Sequence, residues 1–203
     1  METTNTPQYD NELYQKGLAA LRKKNYGYAI DLFQQILDAA PDFDECRRYL
    51  RTALREKRKS TPPSWLQRVI EITVSAILFI KLFILHASGR NDAANAVAEK
   101  LIMSNPANIN ALYASATILM EQGKLLRAID ALEELLSIDN NHINALRKIT
   151  RLYYEKKDYT KAKTAAAQLL RISPHDIEAE NILNNIAARG VIEGGFDDIK
   201  PAT

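Results

Sequence analysis

The sequence predicts an all-α chain, an α-solenoid of stacked antiparallel helix pairs. Between Asn108 and Pro174 one apolar phrase occurs twice. Leu112, Leu119, Ala128, Leu132 and Leu135 recur as Leu146, Tyr153, Ala162, Ala166 and Leu169, each about 34 residues later, the period of a repeated helix–turn–helix unit. Apolar residues along the flanking segments recur at the spacing of one helix face. Gly and Pro number 7 each among 203 residues while Ala, Leu and Ile abound, which favours helix over sheet.

Composition narrows the class further. At 46% hydrophobic residues the chain can bury a sizeable core. A net charge of +2 is nearly balanced, so no nucleic-acid partner is expected from bulk charge. Cys46 stands alone, which excludes an intrachain disulfide framework and a cysteine-rich zinc site. Met1 to Tyr9 is polar and lacks the basic-then-apolar order of a secretory signal. A cytoplasmic location is therefore the expectation.

Residues 1–9 are expected to be a disordered lead. The first unit, 10–42, has one helix from Asp10 to Lys23 carrying Leu13, Gly17, Ala20 and Leu21, and a second from about Tyr26 to Ala39 carrying Ala29, Ile30, Phe33, Ile36 and Leu37. Pro41 stops it, because proline cannot extend the helical hydrogen-bond ladder. Residues 43–74 form a degenerate unit: a charged helix over Phe43–Lys59, a Ser60-Thr61-Pro62-Pro63 break, and the start of an apolar helix running from Trp65 to Leu85. The unit at 75–107 carries Leu78, Leu82, Leu85, Gly89, Ala94, Ala98, Leu101 and Pro106 in the register of the doubled phrase. Units at 108–142 and 143–175 follow. Residues 176–189 make a capping helix with Ile177, Ile182, Leu183 and Ile186 on one side and Glu178, Asn181, Asn184 and Asn185 on the other, since the last apolar face of a solenoid needs a cover. Gly190 is expected to end that helix and 190–203 to be a flexible tail.

Leu13, Gly17, Ala20, Ala29, Phe33, Ile36 and Pro41 occupy the bulky, small, bulky, small, aromatic, apolar and proline places of a known repeat. On these residues and the doubled phrase, the chain resembles the tetratricopeptide repeat (TPR) family over roughly Asp10 to Arg189. It departs from the pattern in two ways. Leu13, Leu78, Leu112 and Leu146 stand where the family has tryptophan, and Leu82, Ala116 and Thr150 replace the small glycine of the first helix.

The resemblance implies a non-enzymatic protein–protein interaction scaffold whose concave groove, lined by the first helix of each unit, takes a segment of an unidentified protein or peptide. Carried onto this chain, the groove positions are Tyr14, Leu18 and Leu21; Phe79, Phe83 and His86; Tyr113, Thr117 and Met120; Asn144, Arg147, Arg151 and Tyr154; and Glu178, Asn181 and Asn185. Aromatic and arginine side chains dominate binding energy at interfaces. Arg147 and Arg151, four apart, share a face from which both can meet an acidic group. Two plainer readings stand beside this one. Phe79 and Phe83 also suit helix packing, and the two arginines also suit a solvated face with local pairs such as Arg151–Glu155. One subtype of the family clamps a C-terminal carboxylate with Lys, Asn and Arg side chains. Here those places hold Tyr14, Leu18, Phe79, Phe83, Tyr113 and Thr117, so that clamp is not expected.

Val69 to Leu85 is apolar apart from Glu71 and Lys81, with Trp65 and a run of basic residues, Arg47 to Arg68, before it. Basic residues, tryptophan and an apolar run is the order found at a cytoplasmic membrane face, and the length is near the lower limit for a span. A membrane-attached scaffold with 69–85 as a transmembrane or membrane-embedded helix is the alternative. Against it, Glu71 and Lys81 would each cost about 2–3 kcal/mol near a bilayer centre, and an interior helix of an array packs on both sides, so can be apolar all round. Self-association through the apolar face of the 75–107 unit is a third possibility. The basic helix, interspersed with Glu45 and Glu56, also suits a solvated face.

No chemistry is expected. His86, His142 and His175 fall in different units without metal-ligand spacing, and there is no phosphate-binding glycine loop or nucleophile elbow. Glu133-Glu134 reads as a solvent-facing acidic pair. No catalytic residue, cofactor or metal is assigned.

Overall fold

A computed structural model describes residues 10–194, with side chains from Glu12 to Arg189. Among the described residues there are ten α-helices and no strand. They are α1 (Asp10–Arg22), α2 (Tyr26–Ala39), α3 (Asp44–Ser60), α4 (Trp65–Ala87), α5 (Asn91–Ser104), α6 (Ile109–Glu121), α7 (Leu125–Ile138), α8 (Ile143–Glu155), α9 (Tyr159–Ile172) and α10 (Ile177–Gly194). The all-α solenoid of helix pairs is what the sequence predicted. The expected lead at 1–9 lies outside the described residues, as does the tail from 195 onward. α10 runs through Gly190 to Gly194, so the expected stop at Gly190 is corrected: one glycine costs a helix about 1 kcal/mol and need not end it.

Helix lengths repeat with the sequence. α1, α6 and α8 each have 13 residues, and α2, α7 and α9 each have 14. Each pair is joined by a tight turn whose left-handed residue keeps the period: Lys24 (φ 59°), Gly89 (φ 73°), Gly123 (φ 72°) and Lys157 (φ 62°). Glycine adopts that conformation without steric cost and lysine does not. Side-chain caps start several helices. Asn25 Oδ1 accepts from Tyr28 N–H at 3.4 Å, Asp158 Oδ1 from Lys161 N–H at 3.1 Å, and His142 Nδ1 from Ala145 N–H at 3.1 Å. Each satisfies an orphan donor of the first turn.

The chain divides into two compact units, one up to Ala114 and the other from Ser115, with the division inside α6. In the first unit α1, α2 and α3 enclose a core of Ala20, Ala29, Ile30, Phe33, Ile36, Cys46, Leu50 and Ala53, against which Met103 of α5 also packs. Tyr14, Phe33, Phe43 and Tyr49 form a group of rings 5.1–6.3 Å apart, centroid to centroid. α3 is joined to α5 by Arg51, which donates from Nη2 to both carboxylate oxygens of Glu99 at 2.8 and 2.9 Å. In the second unit Leu146, Ala166, Leu169 and Ala179 form a core over α8, α9 and α10, with Leu136, Leu170, Ile172 and Leu183 around it.

α4 is the exception to the repeat. At 23 residues it is about 34 Å long, comparable to the hydrocarbon core of a bilayer. Its start is fixed by a capping box in which Ser64 N–H donates to Gln67 Oε1 and Gln67 N–H to Ser64 Oγ. Glu71, Ser75, Leu78, Leu82 and Leu85, at alternating spacings of four and three, lie along one stripe, and Leu82 is the helix's buried residue. Enclosure on both sides, expected of an interior helix, is therefore not what the structure shows. α4 is the one described helix long and apolar enough to cross a membrane, and 6% of its apolar window is buried. A core helix of a soluble protein passes the same test but is mostly buried. The reason for the difference is local: α5 packs against one side of α4, and most of the remaining large apolar side chains of α4 stay exposed.

Candidate functional site

The groove positions fall in both units. In the first, Phe79 and His86, seven apart on α4, are half-buried, whereas Phe83 is 71% exposed and turned away from the stripe that packs. Tyr14 is drawn into the aromatic group and packs against the α1–α3 core. Burial first, and then the neighbouring Glu45, push its phenol up. On α6, Tyr113, Thr117 and Met120 share one face and are half-buried. Each keeps part of its surface available.

The second unit brings its residues together. On α8, Asn144 Oδ1 accepts from Arg147 Nη1 at 3.2 Å. Arg147 reaches the start of α10, donating from Nη2 at 2.6 Å and Nε at 2.9 Å to Asp176 Oδ2. Arg151 donates from Nε to Glu178 Oε1 at 2.6 Å. The local Arg151–Glu155 pair gives way to this cross-helix bond, and Glu178 is the main cause that raises the Arg151 guanidinium further. The ring of Tyr154 lies 5.9 Å from that of Tyr159, centroid to centroid. Arg147 and Arg151 therefore belong to a ladder joining α8 to α10, with side chains still 39% and 52% exposed.

Asp176 is the anchor that the sequence reading missed. Its side chain is buried, and its Oδ1 accepts from Ala179 N–H at 3.1 Å, capping α10 while Oδ2 holds Arg147. Burial by itself would raise its carboxyl. The hydrogen bonds from Arg147 and the Ala179 backbone, with the Arg147 charge, outweigh burial and hold it below its ordinary 3.8. A carboxyl lowered in the folded state adds stability that is complete above the ordinary value and is lost as pH falls through the lowered one. Urea unfolding followed from pH 6 downward should show the wild-type midpoint falling below about pH 4. Asp176→Asn should flatten that fall and lower the plateau above it.

A second miss concerns Glu133. Its side chain is 39% exposed, as expected of an acid that faces solvent, yet Tyr153 Oη donates to its Oε1 at 2.5 Å and Lys161 Nζ reaches the same oxygen at 3.2 Å. Burial and then this bond push the Tyr153 phenol up. Both misses have one source. Arg147 and Asp176 lie 29 apart in sequence, and Glu133 and Tyr153 lie 20 apart, beyond the reach of i,i+4 reasoning. Among the described residues, no group of three or more His, Cys, Asp or Glu side chains is placed to hold a metal.

Comparison with known proteins agrees with this geometry. Residues 85–143 and 119–186 match two family models, both described as tetratricopeptide repeat, which together run over half of the chain. Human protein O-mannosyl-transferase TMTC3 is similar at 24% identity over 135 residues, which are 65% of this chain and 15% of that protein. The chain thus spans about a seventh of the length of this curated relative. The first TPR of Spaghetti (RPAP3), solved bound to the HSP90 peptide SRMEEVD, superposes with a TM-score of 0.52 at 18% identity, covering 56% of this chain and 90% of that one. The Arabidopsis OM64 TPR domain gives 0.52 at 16% identity, covering 57% and 96%. A tetratricopeptide repeat protein from Parabacteroides merdae gives 0.50 at 16% identity, covering 94% and 62%. The structural likenesses show the fold. With the two family models and the recurring 13- and 14-residue helices, they establish that the chain belongs to the tetratricopeptide repeat family.

Proposed function

We propose that this chain is a non-enzymatic, cytoplasmic scaffold that captures an extended or helical segment of a protein partner along the first helices of its repeats. The observation that carries the proposal is the α8 face. Asn144, Arg151 and Tyr154 are accessible there on a helix held rigid by the Arg147–Asp176 and Arg151–Glu178 bonds. Met120 on α6, in the same unit, adds a soft apolar side chain that is half-buried. Arginine and tyrosine are the residue types that anchor interfaces, and rigid backing lowers the ordering cost of binding. Because Asp176 and Glu178 balance the two arginines, the face suits a partner read by hydrogen bonds and ring contacts better than a densely acidic one. The HSP90-peptide complex of the RPAP3 repeat supports the mode of capture but not the ligand.

The test is selection from a random-peptide library against the full chain, followed by anisotropy on the enriched sequences. Tyr154→Ala and Arg151→Ala are each expected to weaken binding about tenfold, the size of a moderate interface anchor, with unchanged helical circular dichroism. Unchanged affinity in both variants would remove these residues from the binding face. Arg147 is a poor choice for the same test, because its loss strands the buried Asp176.

A further inference from the structure

We propose that α4 is a membrane-docking helix that lies in the plane of an anionic lipid surface, with its outward face in the acyl boundary, and does not cross the bilayer. This goes beyond peptide capture and uses a different face. Trp65, Val69, Ile72, Ile77, Ile80 and Phe83 are between 52% and 72% exposed and lie off the stripe that packs. Charged side chains of α4 keep to its margins. At about 100° per residue, Arg68 falls on one flank of the packed stripe and Lys81 on the other, with Glu71 on the stripe itself. The arc between Arg68 and Lys81, facing away from the stripe, contains no charge.

Three features identify lipid as the occupant. The exposed arc is too broad for one partner helix, and the four–three seam that a coiled-coil dimer would use is already spent on the protein side. Trp65 stands at the N-terminal end, the exposed Lys57 lies in the last turn of the preceding helix α3, and the exposed Arg68 and Lys81 border the uncharged arc, so that aromatic and basic residues stand where headgroups meet the helix. The net preference is therefore for anionic headgroups.

Crossing is opposed by the fold itself. A single span would put α3 and α5 on opposite sides of the membrane. In the first unit they are joined directly: Arg51, its side chain 6% exposed, holds Glu99 of α5. Arg58 of α3 donates to Glu71 of α4 at 2.6 and 3.1 Å and to the carbonyl of Ser104, the last residue of α5, at 3.0 Å. The segments before and after α4 are thus held on one side. An in-plane helix keeps these bonds, and its outward face supplies the apolar area that interfacial attachment requires.

The experiment is flotation of the full chain with vesicles of phosphatidylcholine alone or containing phosphatidylglycerol. Binding to the anionic vesicles, released by alkaline carbonate, is expected. Ile72→Ser with Ile80→Ser, both at exposed positions, should weaken binding about tenfold or more with unchanged circular dichroism. Arg68→Glu with Lys81→Glu should remove the preference for anionic vesicles by a similar factor. Carbonate-resistant insertion with tags at the two ends protected on opposite sides would overturn the in-plane mode. Absence of vesicle binding would overturn lipid docking, whether light scattering then finds a monomer or a dimer that the two serine changes dissolve. Anionic preference that survives the charge reversals would overturn the assignment of Arg68 and Lys81.

Discussion

Arg51→Ala should lower the unfolding free energy of the first unit by about 3–5 kcal/mol, the range for removing one partner of a buried ion pair. Arg51 is 5% exposed, and both Glu99 oxygens are taken by its guanidinium. The loss leaves Glu99, with a side chain 19% exposed, beside a cavity lined by Leu50, Ile102 and Met103 on its apolar side and by Gln34, Asp38 and Arg47 on its polar side. Arg47 Nη1, at 3.8 Å from Glu99 Oε2, offers only partial compensation. Replacing both partners, Arg51→Met with Glu99→Leu, should recover much of the loss, because the cost lies in the stranded charge more than in the missing bond. The measurement is a urea midpoint for each variant. A single variant as stable as wild type would mean that the pair does not hold α3 to α5, and would weaken the case against a crossing helix with it.

A comparable effect is expected at the contact of α1 with α2. Gly17 faces the ring of Phe33, and a Cβ placed there would lie 2.6 Å from Cε1 and 3.0 Å from Cδ1 and Cζ. Phe33 is fully buried, in contact with Tyr14 and Tyr49, so its ring has no room to retreat. Gly17→Ala should cost about 1–3 kcal/mol through overpacking, even though alanine favours the helix by about 1 kcal/mol. Phe33→Ala should cost about 3–5 kcal/mol through the cavity it leaves. The two changes touch the same space, so the double variant should be more stable than the sum of the single losses predicts. Additive losses in thermal or urea unfolding would show that the close approach is not what fixes glycine at position 17.

Much of the fold was legible because the repeat writes its geometry into residue types. The pairs Leu112/Leu146 and Ala128/Ala162 are buried in both copies, and the small Gly17 opposite the aromatic Phe33 marks the contact just described. Gly89 and Gly123 announced their turns. The equivalent turns at Lys24 and Lys157 were silent, since a lysine gives no sign that its backbone is left-handed. The binding face was only partly readable. Family register named Arg147 and Arg151, but their partners Asp176 and Glu178 sit beyond the turn between α9 and α10, and such pairings follow from packing rather than from spacing. α4 was the least readable element. An apolar run looks the same whether neighbours enclose it or leave it bare, and periodicity cannot separate the two.

The helix lengths bear on how a signal could travel. The first helices α1, α6 and α8 have 13 residues, and the last 13 residues of α4, Ser75–Ala87, end two before Gly89 as α6 ends two before Gly123. Trp65–Val74 is then a ten-residue extension of a standard repeat helix, continuous with it and without a glycine or proline to act as a joint. Such an extension works as a lever. Whatever surface holds Trp65–Val74 also sets the heading of Ser75–Ala87, and α5, packed on that helix, inherits the same orientation.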